Sequence, residues 1–142
     1  MDKILSKKRL SFGLFVILDL LSIGMGMGVP FFTILLGFPA GWLLPQYFGL
    51  PAEISKDSLK TLLKAAGITS AVSMLVLGLI WLPSLSWLFE PGRDLAQFGM
   101  PLILFEPLAS FIGWIALIVL VSPFLQFLMT VLGSVLRLIK RE

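Results

Sequence analysis

Apolar runs long enough to cross a lipid bilayer are the feature that most limits what this chain can fold into. Hydrophobic residues account for 58% of its 142 residues, and charged residues for only 13%. A soluble domain carries about 25% charged residues, which it needs to cover its surface. The apolar runs are continuous rather than alternating, which is not the pattern of a transmembrane β-barrel. The sequence therefore predicts an all-α integral membrane protein, with residues 1–142 forming a single membrane domain.

Prolines, glycines and charged residues separate the apolar runs from one another. Since a helix needs about 20 apolar residues to cross the hydrocarbon core, the chain has room for three to five spans. The predicted spans cover about residues 10–28, 31–48, 65–88 and 107–136. Between the second and third, residues 51–64 place lysines at every fourth position beside apolar residues, which predicts an amphipathic surface helix.

The first run follows a basic N-terminal segment, as the core of a signal peptide would. It is longer than such a core and does not end in small residues of the A-x-A type, so we interpret it as an uncleaved span. Two other stretches leave the number of spans open. Residues 31–48 contain Pro39 and Pro45 and form either a kinked span or a re-entrant hairpin. Residues 98–139 are about twice as long as one span requires, and prolines divide them.

Charge asymmetry favours four spans over three or five. With four, the N-terminal bases, the lysines of residues 51–64 and the basic C-terminal segment all lie on one side of the membrane. The loop at residues 89–97, with Arg93 as its one base, falls on the other side. The cytoplasmic loops of membrane proteins are enriched in Lys and Arg. We therefore expect a compact four-span helical bundle with kinked or broken helices and both termini cytoplasmic, and a bacterial inner membrane fits this pattern.

Asp19 is the most informative single residue, because it lies alone in the middle of the first predicted span. An acidic side chain there opposes insertion by roughly 2.5–3.5 kcal/mol, and each aliphatic residue offsets about 0.3–0.6 kcal/mol of this. One interpretation is a carboxyl that binds a proton, a cation or a cationic substrate. Another is a carboxyl that pairs with a basic or hydrogen-bonding group on another subunit, since no base lies in the other predicted spans.

Three further polar positions are weaker candidates for proton or substrate binding. Glu106 directly precedes Pro107, so capping of a helix N-terminus is favoured over the alternative, a second acidic step on one path with Asp19. Gln126 and Thr130 share one helix face with Ser134 and Arg137. That face either lines a pore or meets a partner's polar group, or it turns toward cytoplasmic headgroups as the helix leaves the membrane.

Small residues spaced four apart are the candidates for close helix packing. Lipid supplies no hydrophobic drive for helix association, so small residues that let backbones approach matter more than they do in water. The pairs are Gly24 and Gly28, Gly37 and Gly41, and Ala109 and Gly113.

The composition excludes several kinds of chemistry. The chain has neither Cys nor His, which removes disulfides, thiolate catalysis and most transition-metal sites. No phosphate-binding loop, dinucleotide fingerprint or nucleophile elbow occurs in it. The formal net charge of +3 comes from flanks and loops, so it indicates orientation and not nucleic-acid binding. We therefore expect no enzyme activity, no cofactor and no metal site.

Two functions remain, and both place the protein in the lipid bilayer as a homo-oligomer or beside a membrane protein partner. The first is a non-catalytic accessory or assembly subunit of a membrane complex. The second is a homo-oligomeric small transporter or channel that uses Asp19. In outline, four spans with one acid in the first are similar to small multidrug-resistance exporters, but no sequence motif is shared and their activity does not carry over.

Overall fold

The computed structural model describes residues 17, 21, 31–51, 55–90, 92–95 and 102–140. Among these residues the secondary structure is helical, and none of them lies in a β-strand. The helices are α1 (Phe31–Phe48), α2 (Lys56–Trp81), a 3-10 helix (Leu82–Phe89), α3 (Pro107–Ala116), a π-helical turn (Leu117–Val121) and α4 (Ser122–Ile139).

Three stretches are long and apolar enough to cross a membrane, namely Phe31–Phe48, Lys56–Phe89 and Pro107–Ile139. The predicted all-α class of the fold is thereby confirmed for the described part of the chain. The first predicted span, about residues 10–28, lies outside the described residues except for residues 17 and 21. The count of four spans and the cytoplasmic termini therefore stay predictions.

α1 is a single helix of 18 residues that runs through both of its prolines. Proline has no N–H, so the carbonyl four residues earlier loses its helical partner. For Pro45 that carbonyl belongs to Gly41, and it accepts a hydrogen bond from the Ser134 hydroxyl of α4 at 2.9 Å. A neighbouring helix thus replaces the bond that proline removes, which is how membrane helices tolerate proline. Gly49 follows the helix with a left-handed φ of +62°.

α2 begins at a serine cap and continues well beyond the predicted surface helix. The Ser55 hydroxyl accepts a hydrogen bond from the Ser58 N–H at 3.1 Å, which satisfies one of the free donors of the first turn. No proline follows until Pro83, so nothing in the sequence stops the helix near residue 64. The lysine-bearing turns and the apolar span are therefore one helix from Lys56 onward. Beyond Trp81 the chain tightens into the 3-10 helix.

The last apolar stretch is helical from Pro107 to Ile139 but changes its winding part-way. The π-helical turn Leu117–Val121 ends directly before Ser122 and Pro123. In a regular α-helix the ring of Pro123 would clash with the carbonyl of Val119 and could not bond to it. A π turn is one of the identifiable ways in which a helix accommodates such a residue. Pro123 is one of the prolines that divide residues 98–139, and the irregularity beside it takes this form.

α1 and α4 pack side by side and run in the same direction. The Gly37 backbone lies against Gln126, and the Gly41 backbone lies against Thr130, so residue numbers rise together along both helices. The C-terminal ends of α1 and α4 therefore lie at the same end of the bundle.

α2 runs antiparallel to α4. The Ser70 hydroxyl donates a hydrogen bond to the Pro123 carbonyl at 2.5 Å, and nearer the C-terminus of α2 Gly78 lies beside Val119. One apolar cluster joins α2 to α3 and the π turn; its buried members are Leu77, Phe111, Ile115, Ile118 and Val119. The N-terminus of α2 consequently lies at the same end as the C-termini of α1 and α4.

The described helices bury many small and polar side chains and expose many large apolar ones. Leu75 is 68% exposed and Leu79 is 79% exposed, and both lie in the apolar C-terminal half of α2. Such a surface suits a hydrocarbon solvent. The buried polar residues are Thr33, Ser58, Ser73, Ser84, Ser110, Ser122, Gln126, Thr130 and Ser134.

Charged side chains divide between the two ends of the described bundle. The end formed by the start of α2 and the close of α4 carries five bases and one acid, and we call it the basic end: Lys56, Lys60, Lys64, Arg137, Lys140 and Asp57. The opposite, acidic end carries Glu90, Arg93, Asp94 and Glu106.

Candidate functional site

The tightest helix contact in the described bundle lies between α1 and α4, where three glycines have no room for a side chain. A Cβ added at Gly37 would lie 2.5 Å from the carbonyl oxygen of Gln126. A Cβ at Gly41 would overlap the Thr130 carbonyl, and one at Gly133 would overlap the Phe38 carbonyl. Because these neighbours are backbone atoms, they cannot rotate away. Only glycine permits this approach, which agrees with the packing role predicted for Gly37 and Gly41.

Polar side chains of α4 close this contact with hydrogen bonds to the backbone. The Thr130 hydroxyl donates to the Gln126 carbonyl at 2.8 Å. The Ser134 hydroxyl lies 2.8 Å from the Thr130 carbonyl and 2.9 Å from the Gly41 carbonyl of α1. Gln126, Thr130 and Ser134 are each at most 1% exposed. The hydroxyls of Thr130 and Ser134 are thus used inside the bundle.

This placement differs from both interpretations of the polar face of α4. Gln126 and Thr130 are buried against α1, and do not face headgroups. Arg137, the last member of the face, is only partly buried, at the basic end. Gly133 belongs to the same contact and was missed by the sequence reasoning. The usable signal was its position next to Ser134, which forms a small-residue pair with Thr130 at a spacing of four.

Glu106 occupies the N-cap position of α3, where the sequence favoured it, but its side chain is exposed. Its backbone carbonyl accepts the Ser110 N–H at 2.9 Å, and the carboxylate makes no capping hydrogen bond within the described residues. The fully buried Ser110 hydroxyl instead donates to the Leu104 carbonyl at 2.9 Å and accepts from the Leu104 N–H at 2.8 Å. Ser110 therefore fastens the preceding loop to α3, a role that sequence reasoning missed.

The remaining packing candidates divide between open space and the undescribed part of the chain. A Cβ added at Gly113 would lie 4.0 Å from the nearest described atom, a side-chain carbon of Ile103, so no close approach requires a glycine at this position. Ala109, four residues earlier, is partly buried. Asp19, Gly24 and Gly28 lie outside the described residues.

Two tryptophans carry basic side chains on their faces, one at each end of the bundle. At the basic end, the guanidinium carbon of Arg137 lies 5.2 Å from the Trp42 ring centroid, and the Lys140 ammonium nitrogen lies 5.8 Å from it. At the acidic end, the guanidinium carbon of Arg93 lies 4.0 Å from the Trp87 ring centroid. We call Trp42, Arg137 and Lys140 the Trp42 cluster. Sequence reasoning found its basic members but not the ring that they share.

The membrane-spanning middle of the described bundle carries no charge. α1 has no charged residue, and none lies between Lys64 and Glu90 or between Glu106 and Arg137 in the described residues. The described residues also contain no group of three or more His, Cys, Asp or Glu side chains that would hold a metal ion. The described residues therefore offer two features, a close contact between α1 and α4 and two cations that lie near the Trp42 ring.

No protein-family model, no curated protein and no solved structure matches this chain. Its function therefore has to be inferred from its own residues and their geometry.

Proposed function

We propose that this chain is a non-catalytic accessory or assembly subunit of a membrane complex. The observation that carries the proposal is the charge-free middle of the described helices, in which the hydroxyls of Thr130 and Ser134 bond to backbone carbonyls. A transport pathway needs polar groups that face a ligand. Here these groups serve helix packing, which is what a structural subunit requires.

The outward faces of α2 supply a surface for a partner. Ile68, Leu75 and Leu79 are between 56% and 79% exposed, and they recur at helical spacing along one helix. Such a face packs equally well against lipid or against an apolar helix of another protein. In this proposal the partner covers part of it and lipid covers the rest.

Asp19 gives the proposed interface its specificity. In the sequence it is the one charged residue within the first predicted span, and the other predicted spans offer no base in their middle. A basic or hydrogen-bonding group on a partner helix would stabilise it, because an uncompensated carboxylate in hydrocarbon is costly. We propose that Asp19 makes this contact.

The charge distribution supports a topology of four spans with both termini cytoplasmic. The basic end of the described bundle would face the cytoplasm, and the acidic end would face the opposite side. The basic residues preceding the first predicted span would join the basic end. We propose the bacterial inner membrane as the host, which agrees with the short loops and this charge bias.

A homo-oligomeric small transporter or channel is the alternative that Asp19 itself favours. There the carboxyl would alternate between a proton and a cation or cationic substrate. This alternative predicts that Asp19→Asn abolishes transport and leaves expression intact. Transport at the wild-type rate in that variant would exclude the mechanism.

The deciding experiment is purification from native membranes in a mild detergent, with subunit masses read by native mass spectrometry. We expect a stoichiometric foreign subunit, and we expect Asp19→Asn to lower its recovery. Asp94→Asn is the matched control, because it removes one acid outside the spans and should leave the partner bound. A pure homo-oligomer with no foreign subunit would refute the accessory role and favour the transporter.

A further inference from the structure

Two cations less than one helical turn apart converge on one aromatic ring at the basic end. Arg137 lies in the last turn of the helix, and Lys140 directly follows it. Both are within 6 Å of the Trp42 ring on α1, at 5.2 Å and 5.8 Å. Attraction between a cation and the face of a tryptophan acts over this range. The ring therefore attracts two like charges, an arrangement that an anion within reach of both would stabilise.

No described carboxylate pairs with either cation, and Asp57, the one described acid at this end, forms no salt bridge with a described residue. A salt bridge between Arg93 and Glu90, at 3.1 Å, lies at the acidic end. The Nε atom of Arg137 is buried and has no hydrogen-bond partner in the described part of the structure. The guanidinium is therefore not compensated from within the described part of the structure, and its accessible part is free to meet an anion.

Arg93 at the acidic end is an example of an arginine that lies on a tryptophan and has a counter-ion within the chain. Arg93 also lies on a tryptophan, Trp87, at 4.0 Å. Its guanidinium, however, has the carboxylate of Glu90 as counter-ion within the chain. The Trp42 cluster has the same pairing of ring and cation, one more positive charge and no described carboxylate beside it. The difference between the two ends points to an external anion at the Trp42 cluster.

We propose that Trp42, Arg137 and Lys140 bind the phosphate of an anionic phospholipid headgroup. Tryptophan and basic residues at the end of a membrane span lie at the level of the headgroups. A guanidinium presents forked N–H donors that match phosphate oxygens, and an ammonium adds a mobile point charge. Basic sites between helices on the cytoplasmic side are recurrent places of headgroup binding. This site would operate under either of the functions proposed above.

A simpler role for the two cations is to stabilise the C-terminus of α4, where the helix dipole favours positive charge. That role needs neither the tryptophan nor a second cation on the same ring. The two roles differ in what a variant without the charges loses. If the cations bind a headgroup, the variant loses its lipid preference; if they only stabilise the helix dipole, it loses thermal stability alone.

The test measures which lipids stay bound to the full-length protein. The protein is placed in nanodiscs with equal amounts of phosphatidylglycerol and phosphatidylcholine, and retained lipids are counted by native mass spectrometry. We expect wild type to retain phosphatidylglycerol preferentially. Any basic residue near a membrane surface contributes about 1 kcal/mol, which is about fivefold in affinity. Arg137→Gln with Lys140→Gln should lower the preference by more than about 30-fold, because direct contacts with the phosphate are lost in addition to this general effect.

Two control variants separate this site from a general effect of charge. Lys56→Gln with Lys60→Gln removes two charges from the same end and measures the general effect of charge, so it should lower the preference by at most about 30-fold. Arg93→Gln removes an arginine from a tryptophan at the other end and should lower it by at most about fivefold. If the double variant at the Trp42 cluster does not fold, Lys140→Gln replaces it. Lys140 is exposed, and its loss alone should lower the preference more than Lys56→Gln does.

Three results would overturn the proposal. The first is a wild-type protein with no preference for phosphatidylglycerol. The second is an equal loss in the Trp42-cluster variants and in the two controls, or a loss of thermal stability without any change in lipid preference. The third is displacement of phosphatidylglycerol by inorganic phosphate alone, which would make the ligand a soluble phosphate and not a lipid. Retention of the lipid in excess inorganic phosphate is the expected outcome.

Discussion

Replacing Ser134 tests the hydrogen bond that lets α1 pass through Pro45. The Ser134 hydroxyl lies 2.9 Å from the Gly41 carbonyl, which has no N–H from within α1 because residue 45 is proline. Ser134→Ala removes this donor at a site that is fully buried. The Gly41 carbonyl is then left without a partner in an apolar interior, and leaving such a group unsatisfied costs about 1–3 kcal/mol.

The same structure predicts a variant that cancels this cost. Pro45→Ala gives residue 45 an N–H, which donates to the Gly41 carbonyl as in any α-helix. In that background, Ser134→Ala should cost only about 0.6 kcal/mol, the average for an interhelical hydrogen bond in a membrane protein. The coupling energy between positions 45 and 134 is therefore expected to be about 0.5–2.5 kcal/mol. The cycle removes the separate cost of the space that Pro45 filled.

The assay is reversible unfolding in mixed micelles, with increasing dodecyl sulfate and the fluorescence of the four tryptophans as the readout. All four members of the cycle are measured at one protein concentration. The reasoning is refuted if Ser134→Ala costs the same with Pro45 present as with Pro45→Ala. It is also refuted if Ser134→Ala is as stable as wild type.

Three further predictions follow from packing and charge. Gly41→Ala should destabilise the protein by about 2–3 kcal/mol relative to Gly67→Ala in the same assay, since both gain helix propensity and only the first overlaps a backbone; equal stabilities would contradict this. Ser110→Ala should speed amide exchange in the loop before α3, and unchanged exchange would mean that its two hydrogen bonds do not hold the loop. In this cysteine-free chain, Lys60→Cys and Glu106→Cys should react with impermeant thiol reagents from opposite sides of the membrane. Labelling of both variants from the same side would refute the antiparallel arrangement.

The helical class and much of the second and third apolar stretches could be predicted because they depend on local properties. Hydropathy over about 20 residues identifies a stretch that water will not accept, whatever its neighbours are. α1 begins and ends where its apolar run does, at Phe31 and Phe48. Proline was the less reliable guide. Pro39 and Pro45 suggested a break in α1, but a donor from another helix repairs the effect of Pro45, and that donor is not local.

The partner of each helix face could not be predicted for the same reason. Gln126 and Thr130 form a polar stripe on α4, and the sequence pattern of this stripe is the same whether it faces a pore, headgroups or a glycine-lined helix. The choice is made by Gly37 and Gly41, which lie far away in the sequence. The polarity of the stripe predicted that it faces something other than the hydrocarbon part of the lipid. The identity of that neighbour needed the fold.

The use of hydroxyls in the described bundle bears on how Asp19 should be interpreted. The hydroxyls of Ser84, Ser110, Thr130 and Ser134 all donate to backbone carbonyls, so they serve the fold itself. A carboxylate cannot take this role, because an ionised acid accepts hydrogen bonds and donates none. If Asp19 is ionised it needs donors or a cation, and if it is protonated it is a weaker choice than serine for binding a carbonyl. A residue whose chemistry differs from that of all the packing groups is best explained by something that the bundle does not supply, which is why Asp19→Asn is the variant to pair with the search for a partner.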